Sequence, residues 1–549
     1  MRQSRGAPVG GGYERWLLTA AALAVAAIAF LTFRETLGHG FVSWDDDVYV
    51  YENPAFTHPS PQSIVSLLSS FYYYAFIPTT LLSHTVDVLV WGMNPHGHHL
   101  TNVLLHAVNA AWVLVLGVLL LRFSRRPTST EPARDRTSAI FGMGIAAVLF
   151  AVHPLRAESV SWISDRKDLL CTFFSLPAAM AYLIYSDRRG AANAGRWLLT
   201  SFLLFVLAVL SKATAVAFPI VLILLDWFRG RDDGGRFREK IPFLLVAASV
   251  AALSLTLSPH TTPSYAASHL TRFEGILFPF YCLSFPLYKT FLPFHLGPIY
   301  PRAGLEWMIA GLALVAAFTA AGVILGRKRR KSLLVVWLVY LLFLIPNVAG
   351  LSSGAQPVAD RYTYLSTIAL YLLLGAAMSA AWDHGGISRR FSIVLSGGAL
   401  AVILITMTIP QAAHWRSSTS LWEFVVAKFP AKRDYTDAYI NLGVAYEQAG
   451  RRAEALGVLG KAVGMDPDNP KVLHNLGMIS YHDGKRQEAL GYFRRACEVD
   501  PHPALAYFNR ALVSEELGLY DEALTSMVQS ARLGSKDAQA ALSSRGISW

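Results

Sequence analysis

Charge is scarce in this sequence. Asp, Glu, Lys and Arg make up 15% of its 549 residues, 53% are hydrophobic, and the mean hydropathy is +0.38. A soluble chain of this length would need more charge to keep its surface in water, so most of this one has to dissolve in lipid. Cysteine is nearly absent as well. Cys171, Cys282 and Cys497 are an odd set, two of them in or beside apolar runs, so no disulfide framework can be read and the redox compartment stays open. No zinc-ligand spacing, phosphate-cradling glycine loop or nucleophile elbow occurs, which removes metal hydrolases, ATPases and serine hydrolases. The net charge of +11 would suit nucleic acid if the cations covered a polar surface. They sit instead in short clusters between apolar runs, a pattern of membrane orientation.

With roughly 20 apolar residues to a span, about eleven transmembrane helices are expected, near 16–33, 98–121, 138–152, 168–186, 197–213, 215–228, 241–258, 304–326, 332–346, 364–382 and 391–410. The first follows Arg2, Arg5 and Arg15 without a convincing cleavage site, so it is read as a retained helix. Basic clusters mark alternate loops: the N-terminus, Arg122 with Arg125 and Arg126, Arg188 with Arg189, Arg229 with Arg231, Arg327 to Lys331, and Arg389 with Arg390. Those loops are placed in the cytoplasm and the opposite loops, with everything after residue 410, on the other side. Ile64–Gly92 and Phe273–Leu292, interrupted or bounded by proline, are expected to lie at the outer interface instead of spanning.

From Thr436 the chain repeats with a period of 34, the tetratricopeptide length. Asn441, Asn475 and Asn509 are in phase, as are Gly450, Gly484 and Gly518, and Ala455, Ala489 and Ala523. Small residues at Gly443, Gly477 and Ala511 let paired helices approach closely, and Pro467 and Pro501 end the second helix. The third copy carries Arg510 and Ser535 where Leu and Pro are expected, as a capping repeat would. The predicted organisation is a membrane domain over 1–410 with a first outer loop over 34–97, a connecting segment over 411–435, and repeats near 436–469, 470–503 and 504–537 within 436–549. The fold class is all-α. In-phase asparagines can form a ladder holding an extended acceptor peptide, because an amide donates and accepts at once; asparagine is also simply common at this position in such repeats.

Three features could carry chemistry. Asp45-Asp46-Asp47 follow the first helix among Trp44, Tyr49 and Tyr51, and three adjacent carboxylates raise one another's pKa unless a cation or metal sits near. Such a triplet is a base, an ion ligand or a solvated turn. The second outer loop runs from His153 through Arg156, Glu158, Arg166 and Lys167 to Asp168. On a side so poor in cations, Arg166, Lys167, Lys212 and Arg361 could converge on a lipid phosphate or snorkel to headgroups. His99, Asn102, His106 and Asn109 form one polar stripe on a helix, suited to interhelical hydrogen bonds more than to a substrate path.

The stretches Phe41 to Pro54, Trp91 to Pro95 with His99 to Asn102, His153 to Leu170, Ser211-Lys212, Ala359 to Leu365, Trp415-Arg416 and Leu421-Trp422 together resemble the transmembrane and tetratricopeptide-repeat O-mannosyltransferases and their bacterial relatives. These fall in the GT-C class of polyprenyl-phosphate-sugar-dependent glycosyltransferases. The resemblance implies inverting transfer of a sugar, mannose in the named family, from a polyprenyl-phosphate carrier to a Ser or Thr hydroxyl of a protein. It places the catalytic acid on Asp45 with Asp46 as its neighbour, and the third acid, Asp47, leaves open which of the three carboxylates is the base. His153, Glu158, Arg166, Lys212 and Arg361 then become candidates for donor phosphate or sugar, and Asn441, Asn475 and Asn509 for the acceptor. Ile77-Pro78 and Arg156 depart from the family pattern, which often has Arg-Pro and a second His there. No metal ligand set is assigned; a divalent cation at the acids is the open alternative to no cofactor at all. A bacterial inner membrane, with cytoplasmic N-terminus and periplasmic repeats, is the implied location. A non-catalytic scaffold recruiting envelope proteins through its repeats is the competing class. A transporter fits less well, since the charges gather at loop ends and not at mid-membrane.

Overall fold

The computed structural model describes residues 11–57, 60–69, 76–124, 136–230, 237–257, 270–327, 331–348, 356–429, 431–500 and 502–549. Arg2, Arg5, Arg125, Arg126, Arg231 and Lys328 to Arg330, on which part of the expected orientation rests, lie outside the described residues, as does Pro501. Among the described residues the chain is helical throughout, with no strand. It divides into two compact units, Met1–Arg416 and Ser417–Trp549.

Every one of the eleven expected spans contains a helix. Among the described residues eight helices are long and apolar enough to cross a membrane, and two more spans pass as bent pairs. The expected span at 215–228 is the short helix Phe218–Phe228. Their outer faces are what lipid requires: Leu395, Val402 and Ile403 on Ile387–Ala413 are more than half exposed, and hydrocarbon is the solvent that tolerates this. Inward faces meet through small residues. A Cβ on Gly142 would come within 2.6 Å of the Gly375 carbonyl oxygen and of the Ser379 nitrogen, so helices Arg136–Ala151 and Ile368–Asp383 approach backbone to backbone. The polar stripe is a suture. His106 Nδ1 lies 2.7 Å from the Tyr364 hydroxyl and Nε2 lies 3.0 Å from Ala151 O, while Asn109 donates to Leu169 O at 2.9 Å.

The two bends matter most. Thr137–Ala151 turns by 57° into Pro154–Ser161, and Asp360–Ser366 by 54° into Ile368–Asp383. The first follows from sequence: Pro154 has no N–H to continue a helix and pushes His153 to extended geometry, φ −73° and ψ 135°. Of the stretches expected to lie at the interface, Pro61–Ser69 and Pro78–Trp91 are separate helices, with 70–75 outside the described residues. Pro279 and Pro286 do not interrupt the other, which runs as one helix over Arg272–Phe291.

The second unit opens with the helix Ser418–Lys428, started by a reciprocal Ser417–Ser420 cap. Part of the expected connector is therefore packed structure, with Leu421, Trp422 and Val425 buried. Three helix pairs follow, and each pair turns at an in-phase glycine with positive φ: Gly450 at 74°, Gly484 at 77° and Gly518 at 75°, where a side chain would be strained. Ser535, in the place of the expected proline, instead accepts from Ala538 N and starts a further helix, Lys536–Ser544, whose Ala538 and Leu542 close the last core. A Cβ on Gly477 would stand 2.7 Å from Phe493 Cε1. Gly477→Val is expected to destabilise this unit by about 1–3 kcal/mol through overpacking, seen as faster amide exchange in Pro470–His482 and Arg486–Val499; unchanged exchange would contradict the close approach.

Candidate active site

The two bends bring their charged residues face to face. Glu158, just past the first, accepts from the Arg361 backbone N–H at 2.9 Å and from its guanidinium at 2.5 Å. Arg361, in the turn Asp360–Tyr362, is fixed further by Gln356 Oε1 at 3.0 Å and lies 5.5 Å from the Trp162 ring. Nearby, Lys212, where the helix Ala194–Ser211 ends, donates to both oxygens of Asp168 at 2.8 and 2.7 Å. Both ion pairs are buried. Charges so placed need each other, since a lone one would carry its full desolvation cost.

Lys167 is different. Its side chain is 3% exposed, and its ammonium lies 5.3 Å from the Tyr49 ring and 5.1 Å from that of Trp162. It makes no hydrogen bond to a described residue, and the charges it faces are Asp45, Asp165, Lys212 and Arg361. Trp162 in turn stacks on Trp415 at 5.4 Å, and Trp44 packs edge-on against both. An aromatic wall thus backs the cations.

The adjacent aspartates of the first loop differ in the same way. Asp46 is fully buried and bonded: it accepts from Val42 N at 3.0 Å, Ser164 N at 2.9 Å and Ser164 Oγ at 2.5 Å. It pins the loop to the turn Ile163–Asp165, just before Lys167. Burial raises its pKa to about 7 against the pull of those bonds. Asp45 makes no side-chain hydrogen bond to a described residue. Burial raises its pKa to about 6, opposed by Lys167 and Arg361 and assisted by Asp47. Asp47 lies toward Tyr51.

Of the residues expected at the site, Asp45, Glu158, Lys212 and Arg361 converge, and two others are engaged elsewhere. Arg166 is fully buried and bonded to Asp87 Oδ2 at 2.6 Å, Asn102 Oδ1 at 2.7 Å, His98 O at 2.8 Å and Ser83 Oγ at 3.2 Å. His153 accepts from Leu155 N at 3.2 Å through Nδ1, and its Nε2 lies 3.1 Å from Thr290 O, so both ring nitrogens are occupied. His153 also lines an apolar cavity of about 700 Å³ with Phe291, Leu370, Tyr371, Leu404 and Met407. Asp165 was not singled out by its sequence context, although it lies inside the motif. In the repeats, Asn509 donates to His474 Nε2 at 2.8 Å, while Asn441 makes no side-chain bond to a described residue. Among the described residues no three His, Cys, Asp or Glu side chains are grouped to hold a metal ion.

Tetratricopeptide-repeat models match residues 436–469 and 470–503. The chain is similar to Protein O-mannosyl-transferase Tmtc1 of Drosophila melanogaster, 30% identical over 46% of this chain and 30% of that protein. It is 28% identical to Protein O-mannosyl-transferase TMTC4 of Homo sapiens over 36% and 28% of the two chains. With Protein O-mannosyl-transferase F38B6.6 of Caenorhabditis elegans it shares 23% identity over 81% and 62%. The chain therefore spans less than two thirds of the length of these relatives. Among solved structures, ArnT from Cupriavidus metallidurans bound to undecaprenyl phosphate aligns over 89% of this chain and 80% of its own at 15% identity and TM-score 0.36. The Archaeoglobus fulgidus oligosaccharyltransferase aligns over 81% and 59% at 13% identity and TM-score 0.38.

Proposed function

We propose that this protein is an integral-membrane glycosyltransferase of the GT-C type. It transfers a sugar, mannose by analogy with its relatives, from a polyprenyl-phosphate carrier to a hydroxyl of a protein acceptor on the non-cytoplasmic face of a membrane. The carrying observation is that Asp45, a half-buried carboxylate, and Lys167, a buried ammonium, neither hydrogen-bonded through its side chain to a described residue, face each other beside Arg361 and Lys212. Asp45 takes the proton of the acceptor hydroxyl as its oxygen attacks the anomeric carbon. The bond from that carbon to the phosphate oxygen breaks and its electron pair stays on the phosphate. Lys167, Lys212 and Arg361 stabilise the charge that grows there. Asp46, Glu158 and Asp168 hold these groups in place, and Arg166 fixes the turn from behind. The apolar cavity beside His153 suits the carrier's hydrocarbon chain, and the repeats, with Asn441 the least engaged rung, present the acceptor. The loop charges favour repeats on the non-cytoplasmic side, which in a bacterial inner membrane, the location the family resemblance implies, is the periplasm.

The test is transfer by the purified, reconstituted chain from a polyprenyl-phosphate-linked mannose to a Ser/Thr peptide, read as a hexose mass gain, with and without a chelator. A scaffold protein would neither bind nor turn over the donor. Because Asp45 must be ionised to accept a proton and burial holds its pKa near 6, kcat is expected to fall as pH drops through that value, about tenfold per unit below it. A profile flat from roughly pH 5 to 8 would speak against a carboxylate base of this kind.

A further inference from the structure

Asp165 occupies the N-cap of the helix Arg166–Asp187, a position where an aspartate ordinarily accepts from the backbone of its own first turn. It does not do so here: no side-chain cap bond forms, and both carboxylate oxygens are buried without a hydrogen-bond partner among the described residues. The residue is 0% exposed. The other buried acids around it are bonded: Glu158 to Arg361, Asp168 to Lys212, and Asp46 to Ser164 and Val42. Asp165 faces Asp168, Lys212, Lys167 and Arg361, and it shares Lys167 and Arg361 with Asp45. A buried carboxylate is stable there only if its oxygens are satisfied in the working state.

Charge restricts the partner. Lys212 and Arg361 are already paired with Asp168 and Glu158, so an incoming group meets Asp165 and Lys167 together: the first repels an anion and the second a cation. What remains is a neutral donor of hydrogen bonds. A carboxyl group offers two oxygens in one plane, which matches two adjacent hydroxyls on a sugar ring. We propose that Asp165 is a specificity residue: its carboxylate accepts hydrogen bonds from a vicinal pair of hydroxyls on the transferred sugar, while Lys167 beside it engages the phosphate. This rests on the glycosyl-transfer reading of the same crevice.

The test uses the full chain in lipid, a Ser/Thr peptide, polyprenyl-phosphate mannose and a set of its mono-deoxy analogues. The native protein is expected to lose roughly 10- to 100-fold in kcat/KM when either of two adjacent hydroxyls is removed, the range for a hydrogen bond to a charged group. In Asp165→Ala that discrimination should fall to within a few-fold, with the parent donor losing what the deoxy donors had lost. Asp165→Asn, which keeps the size and one acceptor, should retain part of it and serves if the alanine variant fails to fold. Equal discrimination by the native protein and a folded variant would overturn the proposal while leaving the transferase reading intact. No transfer from any of these donors by the native protein would overturn both.

Discussion

Asp45→Asn is expected to lower the turnover number by about 10²–10⁴-fold, the usual worth of a positioned general base, with insertion and folding unchanged. Folding should survive because the Asp45 side chain holds no hydrogen bond to a described residue whose loss would open the loop; that task belongs to Asp46, through Val42 and Ser164. The amide is nearly isosteric but cannot take a proton, so the loss should appear in kcat and leave donor affinity nearly unchanged. The acid limb of the pH profile should vanish with it. Turnover of an Asp45→Asn variant within a few-fold of the native protein would remove the base from the mechanism.

The second large effect is expected at Lys167. Lys167→Gln should reduce kcat by about 10²–10³-fold, as removal of one preorganised donor from a developing anion does elsewhere. Unlike Asp45→Asn it should also weaken binding of the free polyprenyl phosphate, which carries the same anion. Its neighbour supplies the contrast. Arg166→Gln leaves Asp87 buried without its guanidinium, and breaking such a pair costs about 3–5 kcal/mol. That variant should fail through folding, seen as loss of detergent-stable protein. If Lys167→Gln instead unfolds the chain and a folded Arg166→Gln alone loses donor binding, the two roles assigned here are reversed.

That contrast also marks what a sequence can carry. The spans, the repeat period and the motif Pro154 to Asp168 are written in hydropathy, spacing and one proline, and local rules suffice to read them. Which of two adjacent cations meets the donor is not local. Arg166 and Lys167 differ by about 100° around one helix, and the residues that claim Arg166, namely Asp87, Asn102 and the His98 carbonyl, come from distant stretches. His153 had the look of a ligand residue but closes a turn and ties it to the Thr290 carbonyl. Asp165 stands at an N-cap position, where an aspartate is ordinary, and only the unmade cap bond distinguishes it. The asparagines kept their phase, yet His474, standing where the neighbouring copies have Ile440 and Phe508, takes up Asn509.

A structure of the chain with a non-transferable polyprenyl-phosphate sugar bound is the most direct measurement. It should show the phosphate within hydrogen-bonding reach of Lys167 and of Lys212 or Arg361, with Asp45 across the anomeric carbon and room for a hydroxyl between them. A donor phosphate seated away from these cations, or an Asp45 carboxylate that cannot reach the attacking oxygen, would contradict the account.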